Sequence, residues 1–138
     1  MLEDMCKILI VEDERIVAMD LGEKVRQCGY EVFATVHSGE KALEVVDSQQ
    51  PDFIIMDIML EGDLDGIETT KIIKKKFSNI PVAFSTAYAD EDTRLRAHET
   101  EPAGFLVKPV NRAMLREAIE RALDKKATGP LPDSDKPQ

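Results

Sequence analysis

The chain has 138 residues, 43% of them apolar and only 5% aromatic, so it can bury one aliphatic core without disulfides or a structural metal. With 27 acidic and 18 basic side chains the formal charge is −9, which disfavours nucleic acid and anionic lipid as partners and suits a cation or a basic surface. Cys6 and Cys28 match no metal-ligand spacing and read as reduced thiols. No apolar run is long enough to cross a bilayer and Met1-Leu2-Glu3-Asp4 has no basic flank, so no membrane partner and a cytoplasmic location are expected.

Lys7-Ile8-Leu9-Ile10-Val11 is an unbroken apolar run that ends in Glu12-Asp13-Glu14. Apolar residues then recur at helical spacing, Val17, Leu21, Val25 and Cys28, until Gly29 offers a left-handed cap. Glu31 to Val36 reads as a second strand, and Ser38 caps a helix to about Gln49 with Ala42, Leu43 and Val46 inward. Phe53-Ile54-Ile55-Met56-Asp57 is the most apolar stretch and reads as a strand buried on both faces. Asp57 is then either a simple strand terminator or a group displayed at the edge where open α/β sheets bind ligands.

Asp65-Gly66-Ile67-Glu68 has the form of a capping box and starts a helix through Phe77, with Ile67, Ile72 and Ile73 as its core residues. Lys74-Lys75-Lys76 falls near the end of that helix, where cations favour the dipole, and reads as a solvated face. Pro81 to Thr86 is a fourth strand and Asp90 opens a short polar helix. Gly104 to Val107 is a fifth strand, and Asn111 caps a last helix with Met114, Leu115, Ala118, Ile119, Ala122 and Leu123 on one face. From Ala127 onward the chain is polar and Pro-rich, with nothing to bury. The expected organisation is one domain over residues 1–126 and a disordered tail or linker over residues 127–138.

Strands alternating with helices predict a parallel sheet covered on both faces, a flavodoxin-like (βα)5 three-layer sandwich with strand order 2-1-3-4-5. In that order Glu12 and Asp13, Asp57, Thr86 and Lys108 all stand at one sheet edge. Three carboxylates together repel unless a cation sits among them, and all-oxygen ligation points to magnesium. An ammonium and a hydroxyl beside them suit a phosphoryl group, and a carboxylate next to bound magnesium can attack phosphorus to form an acyl phosphate.

The segments Ile10-Val11-Glu12-Asp13-Glu14, Met56-Asp57, Asp65-Gly66, Ser85-Thr86-Ala87 and Gly104-Phe105-Leu106-Val107-Lys108-Pro109 resemble the receiver domain of two-component response regulators, including its single-domain chemotaxis type. The resemblance covers about residues 7–126. It implies that Asp57 is the phosphoacceptor for a sensor histidine kinase or phosphotransfer protein. It further implies that Asp13 and Asp57 bind Mg2+ directly, Glu12 through water, and Met59 through its backbone carbonyl. Lys108 would pair with the phosphoryl oxygens, ahead of a cis bond to Pro109. Thr86 and Phe105 would be the switch pair, acting on the face formed by the fourth helix, fifth strand and fifth helix. Such a protein is not an enzyme acting on other molecules; it catalyses only its own phosphorylation and slow dephosphorylation. Its downstream target is unknown, it binds no nucleic acid by itself, and it is a monomer or a phosphorylation-dependent dimer.

The loop after Asp57 departs from the common family form: it lacks a Met-Pro pair and is one residue longer before Asp65-Gly66. Asp-Ile-Met-Leu-Glu-Gly is similar to a subgroup found attached to sensory kinases or standing alone. Phe105 stands where a Tyr is frequent, so its inward state would rest on packing alone. Met59 and Tyr88 occupy positions that tune acyl-phosphate hydrolysis in the family, and here they are expected to screen water. Ile16 and Val110 are either exposed kinase contacts or core. The rival functions are a receiver-like interaction module that is never phosphorylated, an aspartyl phosphatase and a flavin-binding module. Asp13 lacks a second Asp two residues on, against the phosphatase, and the loop after the first strand is acidic rather than a phosphate cradle, against the flavin.

Overall fold

Every strand predicted from the apolar runs pairs into one sheet, and each intervening segment forms a helix. The computed structural model describes residues 6–87 and 90–128. In chain order the elements are β1 (Lys7–Val11), α1 (Arg15–Gln27), β2 (Glu31–Val36), α2 (Gly39–Ser48), β3 (Phe53–Asp57), α3 (Gly66–Lys76), β4 (Val82–Thr86), α4 (Glu91–His98), β5 (Gly104–Val107) and α5 (Arg112–Thr128). The sheet order is β2-β1-β3-β4-β5 and every pairing is parallel. This is the flavodoxin-like arrangement expected from the alternation.

The period of two along the strands divides the core in half. Leu9, Val11, Ile54, Met56 and Phe84 pack on one face with Ala42 and Val46 of α2, Ile67 and Ile73 of α3 and Ala97 of α4. Ile8, Ile10, Phe53, Ile55 and Ala83 pack on the other with Leu21 and Val25 of α1 and Leu115 and Ile119 of α5. β3 is central, and all five of its residues are buried. Each fully buried Ile or Phe contributes about 2–3 kcal/mol, so β3 is held firmly along its whole length.

Local chemistry sets the helix ends. Ser38 accepts from the Lys41 N–H, Asp90 from the Thr93 N–H and Asn111 from the Met114 N–H. Asp65 and Glu68 form both halves of the capping box read from the sequence. Gly29 follows α1 with φ +94°, a left-handed conformation that suits glycine. On α3 the inward face differs from the expected one: Ile67 and Ile73 are buried but Ile72 is only half-buried, while Thr69 and Thr70 are fully buried. The cause is that α3 packs sideways on α2 as well as down on the sheet. The expected domain limit falls inside α5, which runs to Thr128; residues 129–138 lie outside the described ones.

Candidate functional site

Parallel register delivers the acidic groups to one place. Val11 lies opposite Met56, so the residues that follow, Glu12 and Asp57, emerge side by side from β1 and β3. Asp57 in turn pairs with Ser85, which puts Thr86 one step beyond on β4, and Thr86 pairs with Val107, next to Lys108. The five strand-end residues singled out from the sequence therefore share one edge of the sheet. Glu12, Asp13 and Asp57 each present a carboxylate oxygen, and these oxygens lie within 4.8 Å of one another.

Glu12 is fixed from several sides. Its N–H donates to the Val36 carbonyl at 3.0 Å, its own carbonyl accepts from His37 Nδ1 at 2.8 Å, and its Oε2 accepts from the Glu14 N–H at 3.2 Å. It is only 1% exposed, and Asp57 only 4%. Asp57 Oδ1 accepts from the Met59 N–H at 3.2 Å. Lys108 Nζ lies 2.9 Å from Glu12 Oε1 and 3.5 Å from Asp57 Oδ2. The contact with Glu12 is an ion pair without hydrogen-bond alignment, so Oε1 is a buried oxygen with no hydrogen-bond donor. The Lys108–Pro109 peptide bond is cis.

The electrostatics follow from crowding. Burial, followed by the close approach and charge of Glu12, pushes the Asp57 carboxyl up to about 7, against the opposing pull of Lys108 and the Met59 N–H. Burial opposes the charge on Lys108, yet the contacts and charges of Glu12 and Asp57 outweigh it and raise its pKa. One ammonium thus lies against two of the three clustered carboxylates. A buried carboxylate oxygen with no aligned hydrogen-bond donor and an all-oxygen donor set within a few ångströms fit a hard divalent cation such as Mg2+. Glu12, Asp13 and Asp57 would hold it.

Thr86 is buried and Ala87, beyond it, is exposed and small. Met59 is 67% exposed, and Tyr88 lies outside the described residues. Phe105 is half-buried with its ring 5.9 Å from that of Phe84. From α4, His98 lies 4.9 Å and the Arg94 guanidinium 5.9 Å from the same ring. That bracket went unread in the sequence, because a polar helix gives no sign of which aromatic it covers. Ile16 and Val110 divide: Ile16 is 81% exposed whereas Val110 is 8% exposed and belongs to the core. Both border a groove of about 600 Å3 that has Glu12 and Lys108 in its lining.

Comparison with known proteins gives concordant results. The response regulator receiver domain family matches residues 8–120. Sporulation initiation phosphotransferase F of Bacillus subtilis is 32% identical over 121 residues, 88% of this chain and 96% of that protein. The transcriptional regulatory protein PdtaR of Mycobacterium tuberculosis is 34% identical over 120 residues, 86% of this chain, and the chain spans only 57% of that relative. Among solved structures, the signal receiver domain of a modulated diguanylate cyclase from Desulfovibrio desulfuricans superposes with a TM-score of 0.85 at 38% identity, over 91% of this chain and 98% of that one.

Proposed function

Because the chain belongs to the receiver domain family of two-component response regulators, we propose that it is a phosphorylation switch with Asp57 as its phosphoacceptor. Receiver domains work with histidine kinases or phosphotransfer proteins, and the donor here would be a phosphohistidine on such a partner. The observation that carries the proposal is the setting of Asp57. Its carboxylate ends a wholly buried strand, clustered with those of Glu12 and Asp13 and within reach of the Lys108 ammonium, which also pairs with Glu12. No solvated strand terminator needs that company.

An oxygen of Asp57 attacks the phosphorus of the phosphohistidine. The new O–P bond forms as the N–P bond breaks, and the electron pair leaves on the imidazole nitrogen. Mg2+ held by Glu12, Asp13 and Asp57 would keep the attacking carboxylate ionised and offset the negative charge of the incoming group. Lys108, already 3.5 Å from Asp57, supplies a cation to the phosphoryl oxygens. The rigidity of β3 holds the nucleophile in one orientation, which lowers the entropic part of the barrier.

The acyl phosphate adds anionic acceptors beside Thr86, and the hydroxyl turns to donate to them. Phe105 then moves into the space released, and the face of α4, β5 and α5 changes for a downstream protein. The protein transforms no other substrate; it takes up its own phosphoryl group and slowly loses it. No helix among the described residues is long and apolar enough to cross a membrane, and we assign the switch to the cytoplasm.

The test is incubation with Mg2+ and a small phosphodonor, followed by intact-mass measurement. Wild type gains one phosphoryl group and Asp57→Asn gains none. Absence of any gain in wild type would favour an inert interaction module.

A further inference from the structure

We propose that Gly66 is a positioning residue for the phosphoacceptor, with the start of α3 serving as a rigid abutment behind Asp57. The inference deepens the reading of Asp57 given above and rests on it. Its basis is a close approach of two backbones. A Cβ added at Gly66 would stand 2.0 Å from the Asp57 carbonyl oxygen, 2.9 Å from its carbonyl carbon and 3.0 Å from the Ile58 Cα. These are backbone atoms of the acceptor strand and cannot rotate aside. A methyl group would therefore force the two segments apart by about another ångström.

The loop between them is closed at the same point. The Gly66 N–H donates to the Ile58 carbonyl at 2.9 Å, and that carbonyl also accepts from the Leu60 N–H at 3.2 Å. Residues 58–66 thus form a loop pinned at its base, and it carries Met59, whose N–H holds Asp57 Oδ1. Displacing the Asp57 backbone moves the carboxylate and its Met59 donor together.

The α3 side of the contact is firmly held as well. Asp65 Oδ1 accepts from the Glu68 N–H at 2.8 Å while Glu68 Oε1 accepts from the Asp65 N–H at 3.0 Å. The Asp65 carbonyl accepts from both the N–H and the hydroxyl of Thr69, at 3.0 and 2.8 Å. Arg96 of α4 reaches the other Asp65 oxygen at 3.3 Å. Gly66, Ile67, Thr69 and Thr70 are all buried. With the α3 start held in this way, strain from any side chain at 66 cannot be absorbed by α3 alone and reaches Asp57, the last residue of β3, and the loop that follows it. Specific placement of the nucleophile and of the cation-binding oxygens is then a property of residue 66 as much as of the carboxylates.

The test compares Gly66→Ala with Val25→Ala. Val25 is fully buried in the last turn of α1, at the opposite end of that helix from Glu12 and Asp13, and its truncation destabilises the core without touching the start of α3. Mg2+ binding to each folded protein is measured by calorimetry without phosphodonor, and the phosphorylation rate is measured separately at saturating Mg2+. Gly66→Ala is expected to weaken Mg2+ binding and slow phosphorylation by about tenfold or more each, while Val25→Ala loses thermal stability but keeps both values. Should Gly66→Ala not fold, Asp65→Ala loosens the abutment by removing its capping box and Arg96 contact, and severalfold weaker Mg2+ binding is expected. Wild-type Mg2+ affinity and rate in folded Gly66→Ala, or wild-type affinity in Asp65→Ala where that variant is needed, would overturn the proposal. Failure of wild type itself to take up a phosphoryl group would instead count against Asp57 as acceptor.

Discussion

Replacing Asp57 by Asn should stabilise the metal-free protein, and only above a defined pH. The Asp57 carboxyl is raised from 3.8 to about 7 by burial and by Glu12. Its charged form is therefore disfavoured by the fold. Between pH 4 and 7 the native protein holds a proton that the unfolded chain has released, so stability falls as pH rises through that window. The stabilising contribution is complete below the unfolded value of 3.8 and is lost once pH passes about 7. Three pH units at about 1.4 kcal/mol each set a ceiling of about 4 kcal/mol. Rearrangement of Lys108 and Glu12 around the charge reduces this, and a gain of about 2 kcal/mol for Asn at pH 8 is the working expectation. For a domain of this size that corresponds to a Tm rise of about 5–10 °C.

The assay is thermal unfolding of wild type and Asp57→Asn in chelator from pH 4 to pH 8.5. The two should converge at the acid end and separate as pH rises. Added Mg2+ should narrow the gap by stabilising wild type more than the variant. Parallel curves across the whole range, or a less stable variant at pH 8, would refute the claim that Asp57 is buried in a crowded, carboxylate-rich setting.

Three further outcomes follow from burial and backbone geometry. Met59→Asn should shorten the life of the acyl phosphate severalfold in the absence of a phosphatase, since Met59 stands exposed beside Asp57; complete loss of the label from wild type within seconds would remove the water-screening role. Ile16→Asp should change stability by no more than about 0.5 kcal/mol and slow transfer from a kinase while sparing a small phosphodonor, whereas Val110→Asp buries a charge in the core and should unfold the protein; equal loss with both donors in Ile16→Asp would show damage to the fold instead. Glu101 sits at φ 56°, in the left-handed region, and Glu101→Gly should raise stability by about 0.5–1 kcal/mol in chemical denaturation.

The sheet was legible in the sequence because parallel strands are buried on both faces, and the unbroken runs at Ile8 and Phe53 can be little else. The site was legible for a related reason. Once the strand order was fixed, the carboxylates and Lys108 had to meet at one edge. What escaped notice depends on contacts between elements. Thr69 and Thr70 carry no apolar signal that would mark them as inward, yet the packing of α2 against α3 buries them. Gly66 read as part of a helix start, and only the approach of Asp57 shows why no side chain fits there. Ile16 and Val110 were indistinguishable by residue type; position on α1 leaves one in solvent, and the turn into α5 tucks the other under the core.

The most direct measurement is the identity of the modified residue. After incubation with Mg2+ and a phosphodonor, borohydride reduces an acyl phosphate to the alcohol, converting the acceptor to a recognisable new residue in peptide mass spectrometry. The account predicts that conversion at Asp57, dependent on Mg2+ and absent without phosphodonor. Conversion at Glu12 or Asp13 instead, or at no residue in a folded protein, would contradict it.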